Sequence, residues 1–224
     1  MRRLLFLSLA IALAGCSFLH STNQVQEIKD PKVLYQQAMA LYEQGEYKKA
    51  LPYFRKLLYG MGINDYTDEA QYYLAATYYH LKEYDLAILE LEFFIKNFRF
   101  SELYPDALLL LAKAYEGKYS NIHLDISPLK KGLKYAQRAK EILKGTDKEK
   151  EADAVIRSIR EKFARKHLLA AWVYNKLKKY KSELLYLELY LEEYPDMDNV
   201  DSVRARVKEL REIVRDAENS GNRR

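Results

Sequence analysis

The chain has 224 residues, with 37 Lys and Arg against 32 Asp and Glu, 49% hydrophobic residues, 8 Gly, 5 Pro, 20 Tyr and one Cys. Such an apolar fraction with nearly balanced charge excludes a disordered chain. The single Cys excludes an intrachain disulfide framework, and four His argue against a His-built metal centre. Eight glycines leave few for phosphate-cradling loops or the turns of a many-stranded β protein, so the composition favours a helical protein without catalytic apparatus.

Met1-Arg2-Arg3 forms a positive start, and Leu4 to Ala14 is an uncharged run of 11 residues. A bilayer core of about 30 Å needs roughly 20 helical residues, so this run reads as a signal segment and not a span. It ends Leu13-Ala14-Gly15-Cys16, which resembles a bacterial lipobox. That resemblance implies cleavage before Cys16, a diacylglyceryl thioether on its sulfur and an acyl group on its new amine. Several acyl chains, each worth ~0.8 kcal/mol per buried methylene, make a durable anchor. Ser17 follows the Cys in place of Asp, which in the lipoprotein families this resembles permits sorting to the outer membrane. Ser17 to Lys29 is polar and without a helical stripe, and reads as a tether between lipid and domain.

Asp30-Pro31 supplies an N-cap followed by Pro at the first helical position. Beyond it the chain repeats itself. Gly45-Glu46-Tyr47-Lys48-Lys49-Ala50 is echoed 37 residues later by Lys82-Glu83-Tyr84-Asp85-Leu86-Ala87, and again by Lys178-Lys179-Tyr180. Each lies between amphipathic runs: Leu34, Ala38 and Leu41 before Ala50, Phe54 and Leu57; then Leu74, Ala75 and Tyr78 before Ala87, Leu91 and Phe94. The pattern resembles the tetratricopeptide repeat, a helix-turn-helix unit with a small residue at the close crossing and an aromatic closing the turn. Gly60-Met61-Gly62 reads as an inter-repeat turn, since no strand precedes it and no phosphate fingerprint follows.

A third unit begins with Leu108, Leu111, Ala112 and Tyr115, then runs through an irregular insertion from Gly117 to Asp125. Ser127-Pro128 is expected to cap the next helix, about 128–143, with Gly132, Ala136 and Ala139 on its close face. Thr146 and Glu149 predict a capping box for one long charged helix through Ile156, Ile159 and Phe163 into Leu168-Leu169-Ala170-Ala171-Trp172. At the fourth turn Glu183 stands where the small residue belongs, predicting a looser crossing. Tyr194-Pro195-Asp196 ends that pair, Val203, Val207, Leu210 and Val214 mark a last helix, and fraying is expected from Glu218. The expected fold is an all-α solenoid of four tetratricopeptide-like repeats and a partial fifth, in one domain over residues 30–218, with 219–224 as a frayed end.

No paired-His helix, nucleophile elbow or metal-spaced cluster appears, so no catalytic or metal residue is assigned. Eleven of the 20 Tyr lie between Tyr35 and Tyr84. On the repeat's first helices, Tyr35, Met39 and Tyr42, then Tyr72, Ala76 and Tyr79, occupy the positions that line a concave face. Tyr combines an apolar ring, few rotatable bonds and a polar tip. Two readings stand: a groove for an extended peptide, or rings that pack between helices.

Charge divides unevenly. Residues 16–120 carry net −3 and residues 121–224 net +6, a polarity that steers a partner of opposite sign. Acids interleave with the bases along the same helices, which argues against nucleic acid.

Lipobox, polar tether, helical pairs with an insertion in the third, and a long charged helix into Leu168-Leu169-Ala170-Ala171-Trp172-Val173-Tyr174 together resemble the BamD (YfiO/ComL) family of outer-membrane β-barrel assembly lipoproteins. The resemblance implies a non-catalytic scaffold on the periplasmic face of the outer membrane, without cofactor beyond the acyl groups on Cys16. Its implied partners are a POTRA domain of the barrel subunit BamA, the other lipoproteins of that machinery and unfolded outer-membrane proteins. The aromatic groove would then take the substrate signal, and the basic half, through Arg165, Lys166 and Trp172, would dock BamA. The chain departs from the family's five repeats at its end, where one helix follows Pro195. The other readings are a different tetratricopeptide envelope lipoprotein, such as a pilus-assembly pilotin or a cell-division or peptidoglycan coordinator, and an enzyme.

Overall fold

The computed structural model describes residues 28–119 and 125–221. The signal segment, Cys16, His20, most of the tether and His123 lie outside the described residues. The described residues form α1 (Pro31–Glu43), α2 (Tyr47–Gly60), α3 (Thr67–His80), α4 (Tyr84–Asn97), α5 (Tyr104–Lys118), α6 (Ser127–Leu143), α7 (Glu149–Lys176), α8 (Tyr180–Glu193) and α9 (Val200–Gly221), with no strand among them. The fold is an all-α helical repeat of tetratricopeptide type. Its contacts cluster in two units, one ending at Lys118 and the other beginning at Tyr119.

In the first unit α1 pairs with α2 and α3 with α4, and α5 packs on α4. Asp30 caps α1 as predicted, its Oδ1 accepting the Lys32 N–H at 2.8 Å with Pro31 at the first helical position. The repeat positions carry the core: Leu34, Ala38, Ala50, Phe54, Leu57, Leu74, Ala75, Ala87, Leu91 and Phe94 are all inaccessible to solvent. Burying each of the larger side chains contributes about 1.5–3 kcal/mol. Pro52 sits inside α2, where its ring removes one backbone hydrogen bond.

The repeated turns have one geometry. After α1, the Gly45 N–H donates to the Tyr42 carbonyl and the Glu46 N–H to that of Leu41; after α3, Lys82 and Glu83 donate to Tyr79 and Tyr78; after α7, Lys178 and Lys179 donate to Asn175 and Tyr174. This is the Schellman closure, which needs a left-handed residue after the helix. Gly45 adopts it at φ 76°, and Lys82 (φ 62°) and Lys178 (φ 55°) adopt it without the freedom of glycine.

In the second unit α7 is one unbroken helix of 28 residues. It packs on α6 and α8, and α9 packs on α8. Ala164, Ala171, Leu187, Tyr190, Tyr194, Met197, Val203, Val207 and Leu210 are members of one core.

Five local expectations are corrected. Helix α5 continues through Gly117 to Lys118. The α6 start is held by Asp125, whose Oδ1 accepts both the Ser127 N–H (2.9 Å) and hydroxyl (2.7 Å), so Ser127 is anchored and does not itself cap. The box at Thr146 does not form: its hydroxyl donates back to the Leu143 carbonyl at 2.7 Å, Glu149 accepts from the Gly145 N–H, and α7 starts after Lys148. The α7–α8 crossing is filled by a buried, hydrogen-bonded Glu183. Helix α9 runs past Glu218 to Gly221, and Glu218 is paired with Lys181 at 2.7 Å.

Candidate functional site

The 37-residue period places Tyr35 and Tyr72, Tyr42 and Tyr79, and Tyr47 and Tyr84 in equivalent positions. Tyr35, Met39, Tyr42, Tyr72 and Tyr79 are all half-buried, whereas Ala76 in the same row is buried. Tyr35 stacks on Tyr66 of the α2–α3 loop at 4.8 Å between centroids. Burial and then the Glu69 carboxylate push its hydroxyl well above the ordinary tyrosine range.

Tyr42 stands edge-on to Tyr47 at 5.3 Å, Tyr73 at 5.1 Å and Phe54 at 6.4 Å, which joins α1, α2 and α3. Its hydroxyl lies 3.2 Å from His80 Nε2, and burial pushes its pKa up to about 12. Tyr79 repeats the arrangement against Tyr84 at 5.8 Å. Tyr72 meets Phe94 of α4 at 6.1 Å. Edge-to-face pairs of this kind contribute about 0.5–1.5 kcal/mol beyond their buried area. Each of the four rings therefore joins a packing contact while keeping part of its surface in solvent.

Two members of this lattice escaped the sequence reading. His80 lies flat on Tyr47, 4.4 Å between centroids and 5° between planes. The equivalent position in the next repeat is Gly117, where an added Cβ would lie 2.5 Å from the Tyr84 ring. The signal was present in the spacing, because His80 and Gly117 are also 37 residues apart.

On α7, Arg165 and Lys166 are exposed and Trp172 keeps 57% of its surface in water, an exposure that removes it from the core. Arg165 and Trp172 are seven residues apart and share a helix face. Arg165 lines a cleft of about 310 Å³ with Leu168, Tyr190 and Asn199, and Trp172 lines one of about 560 Å³ that also includes Leu168 and Asn199. Lys166 turns to another flank, lining a cleft of about 590 Å³ with Lys130, Phe163, His167 and Tyr194. The fold thus sets Arg165 and Trp172 on one helix face, at two clefts that share Leu168 and Asn199, and turns Lys166 to another flank. The Lys176 ammonium lies 5.6 Å from the Trp172 ring centroid, within cation–π range.

The floor of the Trp172 cleft holds Glu183, which the sequence marked only as a loose crossing. Glu183 is buried and accepts from Arg206 Nε at 2.8 Å, Arg206 Nη2 at 3.1 Å and Asn175 Nδ2 at 2.9 Å. Glu183, followed by Glu209, holds the Arg206 guanidinium above its ordinary value. The visible hint was an acid at a position that otherwise takes a small residue.

Fold and surface together define a helical-repeat protein of tetratricopeptide type, with exposed side chains presented on rigid helices. The model of the family described as "YfiO: Outer membrane lipoprotein" matches residues 27–221, and the chain belongs to that family. No curated protein matches the chain. Among the described residues, no helix is long and apolar enough to cross a membrane, and no group of three or more His, Cys, Asp and Glu is arranged to hold a metal ion.

Proposed function

We propose that this chain is a non-catalytic scaffold lipoprotein of the outer-membrane β-barrel assembly machinery. Acyl groups on Cys16 hold it at the periplasmic face of the outer membrane. Its second unit docks a POTRA domain of BamA, with the machinery's other lipoproteins as further partners. Its first unit receives unfolded outer-membrane proteins along Tyr35, Met39, Tyr42, Tyr72 and Tyr79. One observation carries the docking assignment: in a chain of an outer-membrane lipoprotein family, α7 holds an exposed Trp172 at an open cleft, with Arg165 two turns away on the same helix face at a second cleft. Exposed Trp and Arg over a pocket are the residue types that dominate interface energies. Lys166, on another flank, is proposed as a rim contact.

The test is purification of the full-length chain from detergent-solubilised outer membrane. A POTRA-bearing barrel should co-purify, and Trp172→Ala should weaken its binding by about 2 kcal/mol, roughly thirtyfold in Kd. Recovery of a secretin or a division protein in place of the barrel would sink the reading. For the aromatic face, replacing Tyr35, Tyr42, Tyr72 and Tyr79 by Ala should abolish binding of a carboxy-terminal outer-membrane-protein peptide. Unchanged binding with a large loss of stability would assign these rings to packing alone.

A further inference from the structure

One end of the first unit exposes large apolar side chains at its loop tips, and it is the end from which the chain leads back to Cys16. Three contacts define that end. The Lys56 ammonium donates to the Ile28 carbonyl at 2.6 Å, bringing the start of the described chain to the last turns of α2. Tyr35 near the start of α1 stacks on Tyr66 of the α2–α3 loop. Ser101 of the α4–α5 loop donates to Asp68 in the first turn of α3 at 2.7 Å. The turns at Gly45 and Lys82 close the opposite end, because successive helices run antiparallel.

The two loops at the tether end carry Ile63, 96% exposed, and Phe100, 102% exposed. Val33, Tyr59 and Phe93, also exposed, lie within two turns of the same end. Full exposure of a large apolar side chain at a loop tip forgoes about 1.5–3 kcal/mol of burial each time. Two such tips on one end mark a contact surface.

Covalent geometry supplies the occupant. Residues 17–27 separate Cys16 from Ile28, and 11 residues at about 3.3–3.6 Å each reach no more than roughly 40 Å. A polar tether of that length keeps this end close to the bilayer but does not set its orientation. Apolar side chains at the headgroup level would set it, as they do in interfacial proteins.

We infer that the tether end of the first unit, through Ile63 and Phe100, rests in the interfacial layer of the membrane that holds the acyl chains and so fixes the tilt of the repeat. The inference rests on the lipidation of Cys16. This end carries acids as well as bases, Asp65 and Glu102 beside Lys96 and Arg99, so the contact is apolar and insensitive to salt.

The test uses the full-length lipidated chain in vesicles of phosphatidylethanolamine and phosphatidylglycerol. Nitroxides are attached to Ile63→Cys, Phe100→Cys and, at the opposite end, Gln44→Cys; the Cys16 thiol is consumed as a thioether. The labels at 63 and 100 should be open to oxygen and lose broadening by a water-soluble nickel chelate, at low and high salt alike, while the label at 44 shows the reverse. Because a nitroxide is itself apolar, a label at Glu102→Cys is also read, and its shielding should be lost when Ile63 and Phe100 are both replaced by Ser. A chain that floats with the vesicles but leaves 63 and 100 as open to the chelate as 44 overturns the inference and spares the anchor. A chain that fails to float overturns both. Shielding that appears only after a partner protein is added overturns the bilayer as occupant.

Discussion

Arg206 of α9 closes on Glu183 of α8 through two parallel hydrogen bonds, Nε to Oε1 at 2.8 Å and Nη2 to Oε2 at 3.1 Å. The two partners are unequally placed: Glu183 is about 95% buried, while the Arg206 side chain keeps 30% of its surface exposed and also reaches Glu209 at 2.8 Å. Removing Arg206 strands a carboxylate in the core, with Asn175 as its remaining partner. Removing Glu183 frees a guanidinium that still has Glu209 and water. Arg206→Ala should therefore cost about 3 kcal/mol, near the lower end for a broken buried pair, and Glu183→Ala only about 1–2 kcal/mol. Denaturant unfolding of the two variants checks the asymmetry; equal losses would refute it.

Gly117 packs under the Tyr84 ring with no room for a methyl group, the nearest ring atom lying 2.5 Å from an ideal Cβ. Gly117→Ala should destabilise the chain by about 1–3 kcal/mol through overpacking, despite the better helix propensity of Ala. Tyr84→Ala in the same background should relieve the clash, so the double variant should lose less than the sum of the singles. Additive losses would show that the ring is not the cause.

Lys82 holds a left-handed conformation at φ 62° in the turn that uses glycine at Gly45. A side chain there costs roughly 1–2 kcal/mol of steric strain. Glycine relieves that strain but adds freedom to the unfolded chain. Lys82→Gly should raise stability by about 0.5–1 kcal/mol, read as a higher midpoint in thermal unfolding. A lowered midpoint would contradict the strain argument.

His80, stacked on Tyr47, is held below its ordinary pKa, first by burial and then by the Lys113 charge. Its neutral form is therefore the one the fold prefers. Above about pH 6.5 the group is neutral in both states and the stability is fully present; as pH falls below that value the unfolded chain takes up the proton first, and stability is lost through the folded pKa. Replacing His80 by Gln should flatten the fall in the urea midpoint between about pH 7 and pH 5. An identical pH dependence in the variant would rule the group out.

Much of the architecture was legible because helix formation depends on a local period. Leu34, Ala38, Ala50, Phe54, Leu57, Leu74, Leu91 and Phe94 recur at helical spacing, and all are inaccessible in the fold. The unbroken stripe from Ile156 to Trp172 likewise foretold a single long helix, and α7 is that helix. Capping details were less readable. Thr146, Glu149, Asp125 and Ser127 each had more than one backbone partner within reach, and small differences in chain path decided among them.

The aromatic row was legible as a row but not in its contacts. Spacing alone put Tyr42 and Tyr79 in equivalent positions. That each turns its edge to the tyrosine closing its own turn, at 5.3 and 5.8 Å, depends on how the next helix crosses.

By itself the sequence determined an all-α repeat of about 37 residues and the turns at Gly45, Lys82 and Lys178. These follow from near-neighbour periodicity, which 20 to 40 consecutive residues contain in full. Only the tertiary structure decided that Glu183 is a satisfied buried acid and not a loose crossing, that Gly117 exists to admit Tyr84, and that Ile63 and Phe100 share an end with the tether. Each of those depends on a partner at least 23 residues away and on a different helix or loop. Such pairs are chosen by packing, which the local pattern does not encode.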